Sequence, residues 1–255
     1  MSNDHPGAVA AAPVAPQVLL PALRALVAEV AGAAVAEVEA QGRQVSCAAG
    51  CGACCRQLVP ISDVEAQAIA DLVERLPPDR RATVAARFAE AERRIAAWQP
   101  LDSLLDADID APPDEQLRIA AGYFRLGIPC PFLEDESCSI YPDRPLLCRE
   151  YLVTSPAAHC ARQYELRTDS VRLTRPSWSL ARLASDETPP QPTYVPLTLA
   201  LHWQRERARP VAPQPLAVWV ARFEAASRLV AEKLAQAEPG AVVVTMHRTT
   251  DGGAP

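Results

Sequence analysis

Lysine is nearly missing from this chain. Lys233 is the only one, so almost all of its 25 basic residues are arginine, and against 31 acidic residues they leave a formal charge of −6. A surface of that sign offers no basic face for phosphates, which argues against a nucleic-acid partner. No basic residue precedes Arg24, so the charged start of a secretory signal is lacking. The apolar stretch from Leu19 to Val38 is interrupted by Arg24, Glu29 and Glu37, which argues against a membrane span. No phosphate-binding loop, Gly-rich nucleotide motif or hydrolytic triad is visible, and no internal repeat. These absences predict a cytoplasmic protein whose thiols stay reduced. The excess of arginine, the abundant alanine and the 25 prolines match GC-rich bacterial coding and say nothing about function.

What the chain does have is cysteine. Cys47, Cys51, Cys54 and Cys55 fall within the stretch CAAGCGACC, with Gly50 and Gly52 between them, and Cys130, Cys138, Cys148 and Cys160 follow much later. With 255 residues the chain can bury a full hydrophobic core, so it does not need the disulfide staples of small secreted domains. Free thiols that bind metal are therefore the leading expectation, and disulfides a minor alternative.

Hydrophobic periodicity predicts a mainly α protein. Residues 1–16 are Ala- and Pro-rich and read as a disordered segment, residues 17–238 as one helical domain, and residues 239–255 as a flexible tail. Leu19, Leu23, Leu26, Val27, Val30, Val35 and Val38 fit an amphipathic helix ending near Gly42. Ser62-Asp63-Val64-Glu65 is a capping box that opens a second helix, and a third runs from Asp79 to Trp98 after Pro77-Pro78. Residues 100–113 read as an acidic loop, followed by a short helix over Glu115–Ala121. The stretch 127–160, rich in Pro and Cys, reads as irregular, with one short helix at Leu146–Tyr151. Val171–Thr174 suggests a short strand, and Pro196–Arg207 and Leu216–Ala237 suggest helices.

Three thiolates in a Cys-x3-Cys-x2-Cys loop can turn toward one centre, and glycine eases the positive φ such turns require. Zinc takes four thiolates, and a four-iron cluster takes one at each corner. Cys54 and Cys55 are adjacent, so their side chains should diverge, one toward a second centre or the other loop. Eight sulfurs then divide into two four-thiolate sites, or into a cluster and a mononuclear ion. The same spacing occurs in radical S-adenosylmethionine enzymes, but the serial strands of their barrel are lacking. Cys51-Gly-Ala-Cys54 resembles a redox pair without its βαβ setting, and a nucleophilic cysteine assisted by His159 is a further alternative. Arg56, Arg144 and Arg149 stand beside the cysteines in sequence and could offset thiolate charge through N–H···S contacts, whereas the plain alternative for each is a solvated surface residue.

The combination Cys47-x3-Cys51-x2-Cys54-Cys55, Pro129-Cys130-Pro131-Phe132-Leu133 and Cys138-x-Ile140-Tyr141-x2-Arg144-Pro145-x2-Cys148-Arg149 resembles the YkgJ-type CxxCxxCC family, over residues 44–162. The resemblance implies a proposed zinc- or iron-chelating domain with eight cysteine ligands. A similar cysteine region occurs in flagellin lysine N-methylases, where it accompanies an iron–sulfur centre. The expectation is thus a helical domain in which two irregular cysteine-rich loops converge on a metal site, with an iron–sulfur cluster or zinc as cofactor. Its expected partner is that metal ion or cluster, with a protein partner also open. The alternative is a metal-dependent redox or methyl-transfer enzyme using the same centre.

Overall fold

Leu20, Leu23 and Val27 recur at helical spacing, and in the computed structural model, which describes residues 12–107 and 111–236, they form the buried stripe of α1 (Leu20–Ala40). Leu26, one of the expected core positions, instead faces outward, 42 % exposed. By length and composition the run Pro16–Ala40 is apolar enough to cross a membrane, although Arg24 within it pairs with Asp143 at 2.7 Å. Of the N-terminal segment expected to be loose, residues 1–11 lie outside the described residues. Val14 pairs with Gln214, and its carbonyl accepts the Trp219 indole N–H at 2.8 Å. The tail from residue 239 also lies outside them.

The capping box forms as the sequence requires. The Ser62 hydroxyl accepts the Glu65 N–H at the start of α2 (Asp63–Glu74), and the Glu65 carboxylate returns to the Ser62 N–H. Pro78 begins α3 (Pro78–Trp98), where a missing N–H costs nothing. The expected acidic loop is partly helical: α4 (Leu101–Leu105) buries Leu104, and α5 (Pro113–Arg125) starts earlier and runs longer than foreseen. Residues 108–110 of that loop lie outside the described residues. Short helices α6 (Leu146–Glu150), α7 (Ala157–Cys160) and α8 (Pro176–Leu180) lead to α9 (Ala200–Glu206) and α10 (Leu216–Gln236).

Two small antiparallel pairs complete the described chain. β1 (Pro60–Ser62) pairs with the distant β4 (Tyr194–Pro196), and β2 (Leu133–Glu134) forms a hairpin with β3 (Ser137–Cys138). The strand expected at Val171–Thr174 does not form; beside it Ser170 makes an isolated antiparallel bridge with Val153, in the segment after α6.

Packing gives the cysteine loops their walls. One core group joins Ile61, Ile69, Val84 and Phe88 to Phe132 and Val195, and Cys130 and Cys138 pack against it. Phe88 meets Phe132 edge-on at 5.6 Å between ring centroids, a contact worth about 0.5–1.5 kcal/mol beyond burial. A second group sets Leu20, Leu23 and Val27 of α1 against Leu146 of α6, Leu180 of α8 and Trp219 of α10. The α6 helix, which carries Cys148, is therefore held between α1 and α8.

Candidate metal centre

Backbone pairing draws the cysteine loops together. Ser46 donates its N–H to the Val153 carbonyl at 2.9 Å, and Val153 donates back to the Cys47 sulfur at 3.3 Å. Cys130 donates its N–H to the Cys55 carbonyl at 2.7 Å. These bonds join positions that are dozens of residues apart, so the first loop is zipped to both ends of the second.

Glycine makes the approach possible for two different reasons. Gly50 sits at φ +85°, a left-handed conformation that side chains disfavour. Gly52 is needed for space: a Cβ there would lie 2.6 Å from the Glu136 carbonyl oxygen and from Leu133 Cδ1. The β2–β3 hairpin therefore rests directly on the backbone of the first loop. Arg56 fastens the same contact through a two-pronged ion pair with Glu136, at 3.0 and 2.6 Å.

Two buried carboxylates hold α6 at its ends. Glu65 accepts the Leu146 N–H at 2.7 Å while also serving the α2 cap, so one side chain starts two helices. Glu150 accepts from the Ser177 N–H at 2.8 Å and the Ser177 hydroxyl at 2.5 Å, and Arg175 donates to the Glu150 carbonyl at 3.1 Å. Burial pushes the Glu150 carboxyl up to about 7, against the pull of Ser177 and Arg175. The capping box pointed to Glu65 but not to its second helix, and no sequence signal marked Glu150.

Six cysteines line one cavity of about 100 Å³: Cys51, Cys54 and Cys55 from the first loop, and Cys130, Cys138 and Cys148 from the second. Cys47 lies to one side against Val153, and the buried Cys160 lies 4.0 Å from the Tyr151 hydroxyl, with Tyr151 itself on the cavity wall. All eight cysteines are free thiols. Cys54 and Cys55, adjacent in sequence, both line this cavity. Among the described residues, no three His, Cys, Asp or Glu side chains close on a single point as a one-ion site would require.

The thiols raise one another's pKa. The Cys55 thiol and burial hold Cys54 far above the ordinary thiol range, and burial, with the neighbouring Cys130, Cys54 and Cys138, does the same for Cys148. Burial pushes Cys130 up to about 12 and Cys160 up to about 11. Such a group favours neutral thiols until a cation arrives to bind the thiolates and release their protons. The influences fall into two neighbourhoods. Cys47 and Cys160 sense Cys51 and Cys54, whereas Cys148 senses Cys130, Cys138 and Cys54. Cys54 belongs to both.

The three arginines take different positions. Arg144 lines the cavity with its guanidinium 4.1 Å over the Tyr141 ring, and its Nε is buried without an acceptor among the described residues. Burial raises the pKa of Cys47 and Cys138, and Cys55 with burial that of Cys54; the Arg144 charge opposes each rise. Arg149 braces the turn that presents Arg144, donating to the carbonyls of Arg144, Tyr141 and Pro142. Arg56 is committed to Glu136. The His159 ring nitrogen Nδ1 is engaged with the Arg167 carbonyl at 2.7 Å, and His159 does not line the cavity.

A mainly helical chain that turns thiols from two distant loops onto one cavity is, by its architecture, a cysteine-cluster domain. The family model described as "CxxCxxCC: Putative zinc- or iron-chelating domain" matches residues 46–188, more than half of the chain, and the chain belongs to this family. The match reaches beyond the last cysteine to include α8, whose Ser177 holds the far end of the cysteine-bearing α6. No curated protein and no solved structure matches the chain.

Proposed function

We propose that this protein carries a cysteine-ligated metal centre with iron–sulfur character, assembled where its two cysteine loops meet. The observation that carries this reading is the cavity lined by six thiols from both loops. A lone tetrahedral zinc leaves no room between its sulfurs, which stand about 2.3 Å from the metal. A cavity of about 100 Å³ admits several water-sized bodies. That space favours a polynuclear centre over a single ion, and among the described residues no three donors close on one point. The donor set fits, since thiolates hold both zinc and iron–sulfur clusters.

Cys47, Cys51 and Cys160 would form one set of ligands and Cys130, Cys138 and Cys148 another, with Cys54 and Cys55 at the junction supplying one sulfur to each. A bound cluster would supply one-electron redox chemistry or a structural anchor for both loops. The chain's own residues give it an apolar wall of Phe132, Ile140 and Leu197, and a half-buried positive charge in Arg144.

The test is expression in iron-replete anaerobic cells, followed by metal and sulfide analysis and an absorption spectrum. Coloured protein containing iron and sulfide is expected, with Cys160→Ala and Cys148→Ala each losing about half of the metal. Colourless protein with stoichiometric zinc and no sulfide would replace the cluster by zinc. Protein without bound metal would sink the reading altogether.

A further inference from the structure

The seam between the two cysteine loops is fastened unevenly. At its foot the Cys130 N–H reaches the Cys55 carbonyl at 2.7 Å, and the neighbouring Phe132 is buried against Phe88. On the α3 side Arg87 donates to the Pro131 carbonyl and to Glu134, each at 3.1 Å, and Arg80 donates to Glu134 at 3.2 Å. The tip of the β2–β3 hairpin is held differently. Asp135 and Glu136 are exposed, and the side-chain tie from this tip to the first loop is the pair of Glu136 with Arg56, at 3.0 and 2.6 Å. Both partners reach water, the Arg56 side chain 34 % exposed and that of Glu136 61 %.

The tip is also bent against its own preference. The pairing of Glu134 with Ser137 leaves a two-residue turn, Asp135-Glu136, at φ +47° and +56°. Such a turn favours Asn-Gly, and Glu fits it poorly because its Cβ crowds the following carbonyl oxygen. The tip therefore keeps its shape through the contact it makes. Gly52 is buried, while Ala48, Ala49 and Gly50 just before it are exposed, because the Glu136 carbonyl and Leu133 lie on it. A strained turn held by an ion pair for which water and salt compete is an element with two positions. The wall that carries Cys148 differs, since α6 is held by the buried Glu65 and Glu150. Cys130 and Cys138 stand on either side of the hairpin, with Cys51, Cys54 and Cys55 across the seam, so parting the tip from the first loop opens this wall of the cavity.

We propose that the hairpin is a latch on the thiol cavity: release of Glu136 from Arg56 parts the seam and opens the path by which metal enters and leaves. The path rests on the reading that the cavity holds metal, whereas the opening does not. The opening is tested on full-length, chelator-treated protein by the rate at which iodoacetamide alkylates each cysteine, resolved by peptide mass spectrometry. Glu136→Gln and Arg56→Gln should each speed alkylation of Cys130 and Cys138 about threefold to fivefold, the change that loss of an exposed ion pair produces, and leave the buried Cys160 unchanged. Raising salt from about 0.05 to about 0.5 M should speed the parent likewise and the variants little. The swapped double variant, Arg56→Glu with Glu136→Arg, should restore the slow rate. Release of metal from the loaded protein to a chelator should quicken by the same factor in the single variants, with the content at saturation unchanged. Equal alkylation of Cys130 and Cys138 in parent and single variants would overturn the latch, and so would uniform acceleration at all eight cysteines, which means general loosening. Faster alkylation without faster metal release would overturn the path. Protein without bound metal would refute the metal centre, and the alkylation rates would still decide the latch.

Discussion

Replacing Arg144 by Met should move the metal-free and metal-loaded proteins in opposite directions. The guanidinium lies against the thiol cavity with a buried Nε that finds no acceptor among the described residues. An unsatisfied buried donor costs about 1–3 kcal/mol, and stacking on Tyr141 returns about 0.5–1 kcal/mol. Methionine keeps much of the apolar stem and removes both contributions, so the metal-free protein should gain about 1 kcal/mol. With metal bound, the same charge faces thiolates and offsets their repulsion. Its loss should lower metal affinity about 10–100-fold, the usual effect of removing a group that supports metal ligands. That corresponds to about 1.4–2.8 kcal/mol. Urea unfolding of chelator-treated protein measures the first quantity, and competition with a chromogenic chelator measures the second. Arg144→Lys should keep part of the affinity, having the charge but not the planar fork. Equal destabilisation of both forms would show that Arg144 is only a packing element and refute the reasoning.

Three further outcomes follow from the contacts around the cavity. Gly52→Ala should push the β2–β3 hairpin off the first loop, lowering stability by about 1–3 kcal/mol in thermal unfolding and reducing metal content, because its Cβ would meet backbone at 2.6 Å. Glu65→Ala should cost about 2–3 kcal/mol in urea unfolding, since it leaves the N–H groups of Ser62 and Leu146 without an acceptor; a loss under about 0.5 kcal/mol would mean that α6 needs no cap from α2. Asp63 gives a pH signature. Its folded pKa of about 6 lies above the ordinary 3.8, so the folded state holds the proton more tightly. Its contribution is therefore most favourable below pH 3.8 and is lost as pH rises to about 6, a penalty approaching about 3 kcal/mol at neutral pH. Asp63→Asn should be more stable than the parent at pH 7, with the difference vanishing near pH 4 in urea titrations across that range.

The long helices were legible because their information is local. The Ser62–Glu65 capping box and the Pro78 start can be read from a few consecutive residues, and α1, α3 and α10 from periodicity along one turn after another. The metal-binding character was legible for a similar reason: eight thiols, four of them in CAAGCGACC, have few chemical uses. Local patterns also misled. The acidic composition of 100–113 concealed a helix, because burial of Leu104 outweighs weak local propensity.

Residue order along the chain was enough to specify the helical class, the cysteine ligands worth considering and a glycine-eased turn among the first four cysteines. It could not specify which distant groups meet. The β1–β4 pairing, the Cys130–Cys55 backbone bond, the second helix capped by Glu65 and the Glu150–Ser177 contact all join segments whose separation in sequence carries no local signal. Gly50 needs glycine for a torsion angle of its own backbone, whereas Gly52 needs it because another loop arrives there. A backbone torsion is a property of one residue and its neighbours, but a close approach exists only after the hydrophobic groups have packed and the unpaired polar groups have found partners across the fold.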